Sequence, residues 1–186
     1  VTEIELVGNA LCLDFANTVN TRPATRRDWL ATPEQALAWA RAAGHPIDDR
    51  AGLDRALPRG RELRETVFRV FSPLAGGDQP TRGDLDAVVT SHAEGVRHGR
   101  LDDDGDRFRL TWGAPRTAQV LLWEVAASAV DLLTRGPLDR LGECPSCGWL
   151  FLDTSRNHRR RWCSMATCGS RDKARRYYVT HTSPTA

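Results

Sequence analysis

A chain of 186 residues, 40% hydrophobic and 27% charged, suits one domain with a good core, or one medium domain plus a small appendage. No run approaches the roughly 18 apolar residues a membrane helix needs, and the first residues lack a basic segment followed by an apolar one, so a cytoplasmic protein is expected. The net charge of +2 divides unevenly: residues 1–142 hold 18 arginines against 21 carboxylates, whereas residues 143–186 hold seven arginines and Lys173 against Glu143, Asp153 and Asp172, so affinity for anions belongs to the tail.

Residues 10–19, "ALCLDFANTV", are apolar with embedded polar groups and read as a mostly buried strand, or as a strand running into a turn. Cys12 in this run reads as a small core residue. Thr32, Pro33 and Glu34 form an N-cap, a proline in the first turn and an early acid, opening a helix that ends near Ala43 before Gly44 and Pro46. A second helix is expected from Arg61 to Leu74, with Leu63, Val67, Val70, Phe71 and Leu74 along one stripe. Thr81 and Asp84 resemble a capping box and open a third, to about His98, burying Leu85, Val88, Val89, His92 and Val96.

"DDDGD" (102–106) reads as a hairpin turn. It lacks the twelfth-position Glu of an EF-hand loop, so calcium is not expected. Pro115 is expected to open a long helix to Leu133, stopped by Gly136 and Pro137. The fold class expected is α+β, with a mainly helical N-terminal domain carrying a small β-sheet (1–138) and a small second domain after it (139–186).

Four of the five cysteines fall in the tail: Cys144 and Cys147 as C-x2-C, then 15 residues, then Cys163 and Cys168 as C-x4-C. In a reducing cytosol such paired spacing argues for metal rather than disulfides. "CPSCG" (144–148) has the composition of a zinc knuckle, with Pro145 stiffening the loop and Gly148 free to take positive φ. A hairpin is expected after it, "WLFLDTS" out and "RRRWCS" back, and then a helix from about Met165 with Ser164 as its cap. Four thiolates leave no open position, so the expected cofactor is one structural Zn2+, and residues 139–186 are expected to form a small treble-clef-like zinc finger. Trp149, Trp162, Tyr177 and Tyr178 would form the finger's small core.

The stretch "CPSCGWLFLDTSRNHRRRWCSMATCGSR" resembles the CGNR-type zinc finger of bacteria, and "LCLDFANTVNTR" (11–22) resembles the hallmark of the ABATE domain that accompanies it. The helix "TPEQALAWARAAG" (32–44) is similar to the one that follows in that domain. Together the resemblances cover nearly the whole chain. They imply a stress-induced transcription regulator whose front domain senses a small ligand and whose finger binds DNA. The sequence departs from the pattern at Ser170, where the family carries Asn; serine cannot make a bidentate amide contact with a base.

Within that reading, Arg159, Arg161, Arg171, Lys173 and Arg175 are the candidate phosphate contacts, with Ser170 beside them. Arg159–Arg161 would lie on the returning hairpin strand. A zinc-loaded site carries a formal −2, which lowers the tail from +5 to +3, so the same arginines also fit a solvated surface over the metal, or a protein- or RNA-binding adaptor. One finger offers few base contacts, so specificity would call for a homodimer formed through the front domain. Asp14, Asn17 and Thr18 either fix the local turn or face a pocket with Arg22, Trp29 or Trp112 and orient a ligand. No nucleophile-elbow, P-loop, dinucleotide-binding or H-E-x-x-H motif occurs, and no enzyme is expected.

Overall fold

The structure is a computed structural model that describes residues 4–20, 22, 27–113 and 116–181. Its element order is α1 (Leu11–Ala16), α2 (Pro33–Ala42), α3 (Arg50–Gly76), α4 (Arg82–His98), β1 (Arg100–Asp103), β2 (Phe108–Thr111), α5 (Ala118–Arg135), β3 (Leu141–Glu143), β4 (Leu150–Leu152) and α6 (Ser170–His181). Among the described residues no helix is long and apolar enough to cross a membrane.

The expected strand at 10–19 is the helix α1. Its apolar run cannot separate the two states, because Cys12, Leu13, Phe15 and Ala16 are all buried and no exposed face marks a period. Burial on every side also pushes the Cys12 thiol up to about 12. α2 starts as expected, with Thr32 Oγ1 accepting from Gln35 N at 3.3 Å. α3 begins three turns before the expected start. Asp49 caps it by accepting from Gly52 N at 2.9 Å, and the helix runs through Pro58. That proline removes one ladder donor. The stripe Leu53, Leu57, Leu63, Val67, Val70 and Phe71 is buried in the central cluster, and this burial holds the extra turns.

α4 starts at its expected cap, Thr81 Oγ1 accepting from Asp84 N at 3.1 Å. Its buried face is narrower than expected. Val88 is buried, but Val89 and Val96 are 57% and 46% exposed. The cause is Gly95, where a Cβ would stand 2.9 Å from Trp123 Cβ: α4 and α5 approach there, and the contact turns Val89 and Val96 outward. The β1–β2 hairpin forms at the acidic turn as expected, in the register Arg100–Thr111 to Asp103–Phe108. The proposed opening of α5 at Pro115 lies outside the described residues; Thr117 caps that helix.

β3 and β4 pair antiparallel across the knuckle, Leu141 opposite Leu152 and Glu143 opposite Leu150. All three residues of β4 are buried, because both faces are covered: Leu150 and Leu152 join the central cluster, while Phe151 joins the cysteine cluster. The outer edge of β4 is covered as well. Leu152 N donates to Gly8 O at 3.0 Å and Asn9 Nδ2 donates to Leu152 O at 2.8 Å. Asn17 grips Leu150 twice, Nδ2 to its carbonyl at 2.8 Å and Oδ1 from its N–H at 2.9 Å. With one edge on β3 and the other on residues 8–17, the expected return strand at Arg159–Arg161 has no edge to join, and that segment is irregular.

Asn17→Ala strands a buried N–H and a buried carbonyl of Leu150. At about 1–3 kcal/mol for each unsatisfied group, a loss of about 3 kcal/mol is expected in denaturant unfolding followed by circular dichroism; a change below ~0.5 kcal/mol would show the clamp to be energetically idle.

Candidate metal centre and basic surface

The zinc half-sites are built by two local devices. In the knuckle, Gly148 takes φ +72° and donates its N–H to Cys144 O at 2.8 Å, while Cys144 N donates to Trp149 O at 2.9 Å. This tight turn places the thiols of Cys144 and Cys147 on one side. Of the second pair, Cys163 precedes and Cys168 lies within a π-helical turn, Met165–Gly169, opened by Ser164, whose Oγ accepts from Thr167 N at 3.3 Å as the sequence led us to expect. The turn runs directly into α6, so the metal ligands set where that helix begins.

The four cysteine sulfurs all lie within 4.8 Å of one another. Cys147 and Cys163 are 3.5 Å apart, and Cys163 and Cys168 are 3.6 Å apart. A tetrahedral zinc with Zn–S near 2.3 Å has S–S edges of about 3.8 Å, so the residues fit the ion. The thiols also compete for protons: hydrogen bonds from Cys147 and Cys163 hold the Cys144 thiol far below its ordinary value, and the two donors are pushed up in return. A zinc ion displaces the remaining protons and supplies a structural cross-link. Phe151 and Trp162 pack around the sulfurs, with Val7 and Trp149 at the margin. Tyr177, expected in this small core, is 59% exposed instead because it lies beyond the first turns of α6; the Tyr178 side chain lies outside those described.

The segment 153–164 is organised by two residues. Asp153, although buried, accepts from Ser155 N and Arg160 N, both at 2.8 Å. A hydrogen bond from the Ser155 side chain, aided by these two backbone N–H groups, holds its carboxyl below the usual range. Arg160 folds inward over the Phe151 ring, 4.5 Å from its centroid. It donates to the carbonyls of Trp162 at 3.0 Å, Val7 at 3.3 Å and Cys163. Its neighbours Arg159 and Arg161 are exposed, as are Ser170, Arg171, Lys173 and Arg175. Arg161 lies over the Trp162 ring at 5.1 Å, and the Ser170 hydroxyl donates to Met165 O at 3.1 Å. Ion pairs among the described residues run between residues 22 and 135, and none engages these cations.

The six front-domain candidates do not converge on one site. Asp14 Oδ1 accepts from Gly8 N at 2.8 Å, and burial raises its pKa. Asn17 is the β4 clamp. Arg22 donates to Glu65 at 3.1 Å and to Ala16 O at 2.7 Å, and covers Phe68. Thr18 donates to Phe15 O at 2.8 Å, but it also lines, with Trp29, a cleft of about 260 Å3 against the metal centre. Trp112 donates to Gly95 O at 2.8 Å and lines a separate cleft of about 340 Å3 with His45, Arg116 and Glu124. Sequence reasoning missed Asn9, Arg27 and the inward role of Arg160. Asn9 and Arg160 carry no spacing signal because they act on backbone carbonyls, and Arg27 carries none because its contacts with Trp29 and Asn20 match no motif.

Fold and site together define a helical domain bound to a closed four-thiolate zinc finger. A family model for ABATE, described as "Putative stress-induced transcription regulator", matches residues 9–136, and one for the CGNR zinc finger matches residues 140–181. The chain belongs to the ABATE family and carries a CGNR zinc finger with one structural zinc ion. Among curated proteins none matches the chain.

Leu141, Leu150 and Leu152 of the finger share the central core with α1 and α3. Chelating the zinc is therefore expected to abolish the α6 helical signal and also to lower the melting midpoint of the remaining helices. Thermal melts at 222 nm with and without chelator check this; an unchanged midpoint for the front helices would mean the shared core transmits nothing.

Proposed function

We propose that the chain is a DNA-binding regulator whose finger grips phosphates through Arg159, Arg161, Arg171, Lys173 and Arg175, with Ser170 beside them. The observation that carries this reading is the contrast in pairing. Nine front-domain arginines, Arg64 the most buried of them, are paired with carboxylates while others such as Arg27 and Arg41 are not, whereas all five finger cations are exposed and none has a carboxylate partner among the described residues. Unpaired guanidinium groups on a helix and an adjoining arm are what a polyanion rewards, through release of its counterions. Because the Ser170 hydroxyl is spent on Met165 O, backbone affinity is expected to exceed base discrimination at that position.

The Arg171→Ala, Arg175→Ala double variant should keep its zinc and its helical signal. It should weaken binding to mixed genomic fragments and reduce the slope of log K against log salt by about 2, near 0.9 per lost phosphate contact. Fluorescence anisotropy over a salt series measures both. An unchanged slope removes α6 from the interface.

For the sensing role, the 340 Å3 cleft offers the most convergent polar groups. His45 Nδ1 and Glu124 Oε2 are paired at 2.6 Å, beside Arg116 and the Trp112 ring. That composition suits a small polar molecule with an apolar face. Glu124 sits on α5, whose Ser128 Oγ accepts from Cys12 N of α1 at 3.2 Å, one turn before the Asn17 clamp on β4. A metabolite screen by thermal shift should yield a ligand whose stabilisation is lost in Trp112→Ala. A ligand whose shift survives that change binds elsewhere.

A further inference from the structure

Three of the four zinc ligands, Cys147, Cys163 and Cys168, line the 260 Å3 cleft; Cys144 does not. Cys147 is only partly buried, whereas Cys144, Cys163 and Cys168 are 1%, 1% and 4% exposed. The cleft also carries two cations from opposite parts of the chain, Arg27 ahead of α2 and Arg171 in the first turn of α6. Arg27 lies over the Trp29 ring at 5.6 Å, and neither guanidinium has a carboxylate partner among the described residues. Glu5, the carboxylate on this wall, accepts from Thr167 Oγ1 at 3.5 Å. The Trp149 indole is fixed by donation to Val19 O at 2.9 Å.

We propose that this cleft is an oxidation site, in which a small peroxide reaches Cys147 and joins it to Cys163 as a disulfide, dismantling the zinc site. A closed four-thiolate centre is ordinarily guarded by burial of its sulfurs. Here one partly buried sulfur faces a space far larger than a peroxide molecule, and the buried Cys163 sulfur on the same cleft is 3.5 Å away.

The chemistry balances with peroxide as the two-electron oxidant. The Cys147 thiolate attacks one peroxide oxygen, the O–O bond breaks, and hydroxide leaves, giving a sulfenic acid at Cys147. The Cys163 thiolate then attacks that sulfur. The S–S bond of about 2 Å forms, the S–O bond breaks, and a second hydroxide leaves. Two protons from solvent convert the hydroxides to water.

Arg27 and Arg171 line the same cleft as Cys147, and their positive charge favours the first step, in which the leaving oxygen becomes anionic. Two thiolates, Cys144 and Cys168, are too few to retain the metal. Because Cys163 precedes and Cys168 lies within the turn that runs into α6, that helix loses its anchor.

The test uses the full zinc-loaded chain with hydrogen peroxide, following zinc with a chromophoric chelator and mapping disulfides by mass spectrometry after alkylation. The expected result is one zinc released per chain together with a Cys147–Cys163 disulfide, reversed by thiol reductant and zinc. Arg27→Gln with Arg171→Gln should slow release several-fold, and Cys12→Ser should leave the rate unchanged. Zinc retained under excess peroxide overturns the proposal. So does a first disulfide through Cys144, or release at the native rate from an arginine double variant whose zinc content and helicity match the native chain. None of these readouts involves DNA, so the phosphate-binding reading stands or falls separately.

Discussion

The outer edge of β4 is the constraint on which the rest of the molecule depends. A two-stranded pair of three-residue strands is marginal by itself and gains stability from further edge pairing and packing. β3 supplies one edge and the segment Gly8–Asn17 supplies the other, through Gly8 O, the Asn9 amide and both polar atoms of the Asn17 side chain. The same strand leads out of the knuckle, so closing it positions Cys144 and Cys147. Gly8 also leaves no room for a side chain, since a Cβ there would stand 2.8 Å from Asp14 N. The hallmark motif near the N-terminus is thus structural in the first instance: its polar groups hold the finger's strand in place.

This explains how much of the site was legible in the sequence. The zinc ligands were readable because their chemistry imposes short, paired spacing, and the caps at Thr32, Thr81 and Ser164 because an N-cap acts on a residue three positions away. α1 was misread because a run buried on all sides has no period to display. The embedded polar groups of residues 14–18 were readable as unusual but not as a clamp, because Asn17 and Leu150 are separated by 133 positions. The return strand at Arg159–Arg161 failed for a related reason. Alternation cannot reveal that the only available edge is already occupied by the distant segment Gly8–Asn9.

Metal and core cooperate rather than act in parallel. Phe151 sits with the cysteines while its neighbours Leu150 and Leu152 sit with Phe15 and Val67. The period of two in β4 therefore delivers one side chain to the metal cluster and two to the front core. Any loosening of the thiolates reaches the front core through one strand, and any shift of α1 reaches the thiolates by the same route.

Three adjacent arginines show how the same side chain acquires different work from its surroundings. Asp153 accepts the Arg160 backbone N–H and so fixes that residue's direction; the guanidinium then finds the Phe151 face and unpaired carbonyls around the metal loop. Those contacts satisfy carbonyls that the irregular segment leaves without partners. Arg159 and Arg161, one position to either side, emerge on the exposed surface. Counting arginines therefore overstates the basic surface. The quantity that bears on a polyanion is the subset without carboxylate or carbonyl partners, and on the finger that subset, among the described residues, is the exposed arm and the exposed cations of α6.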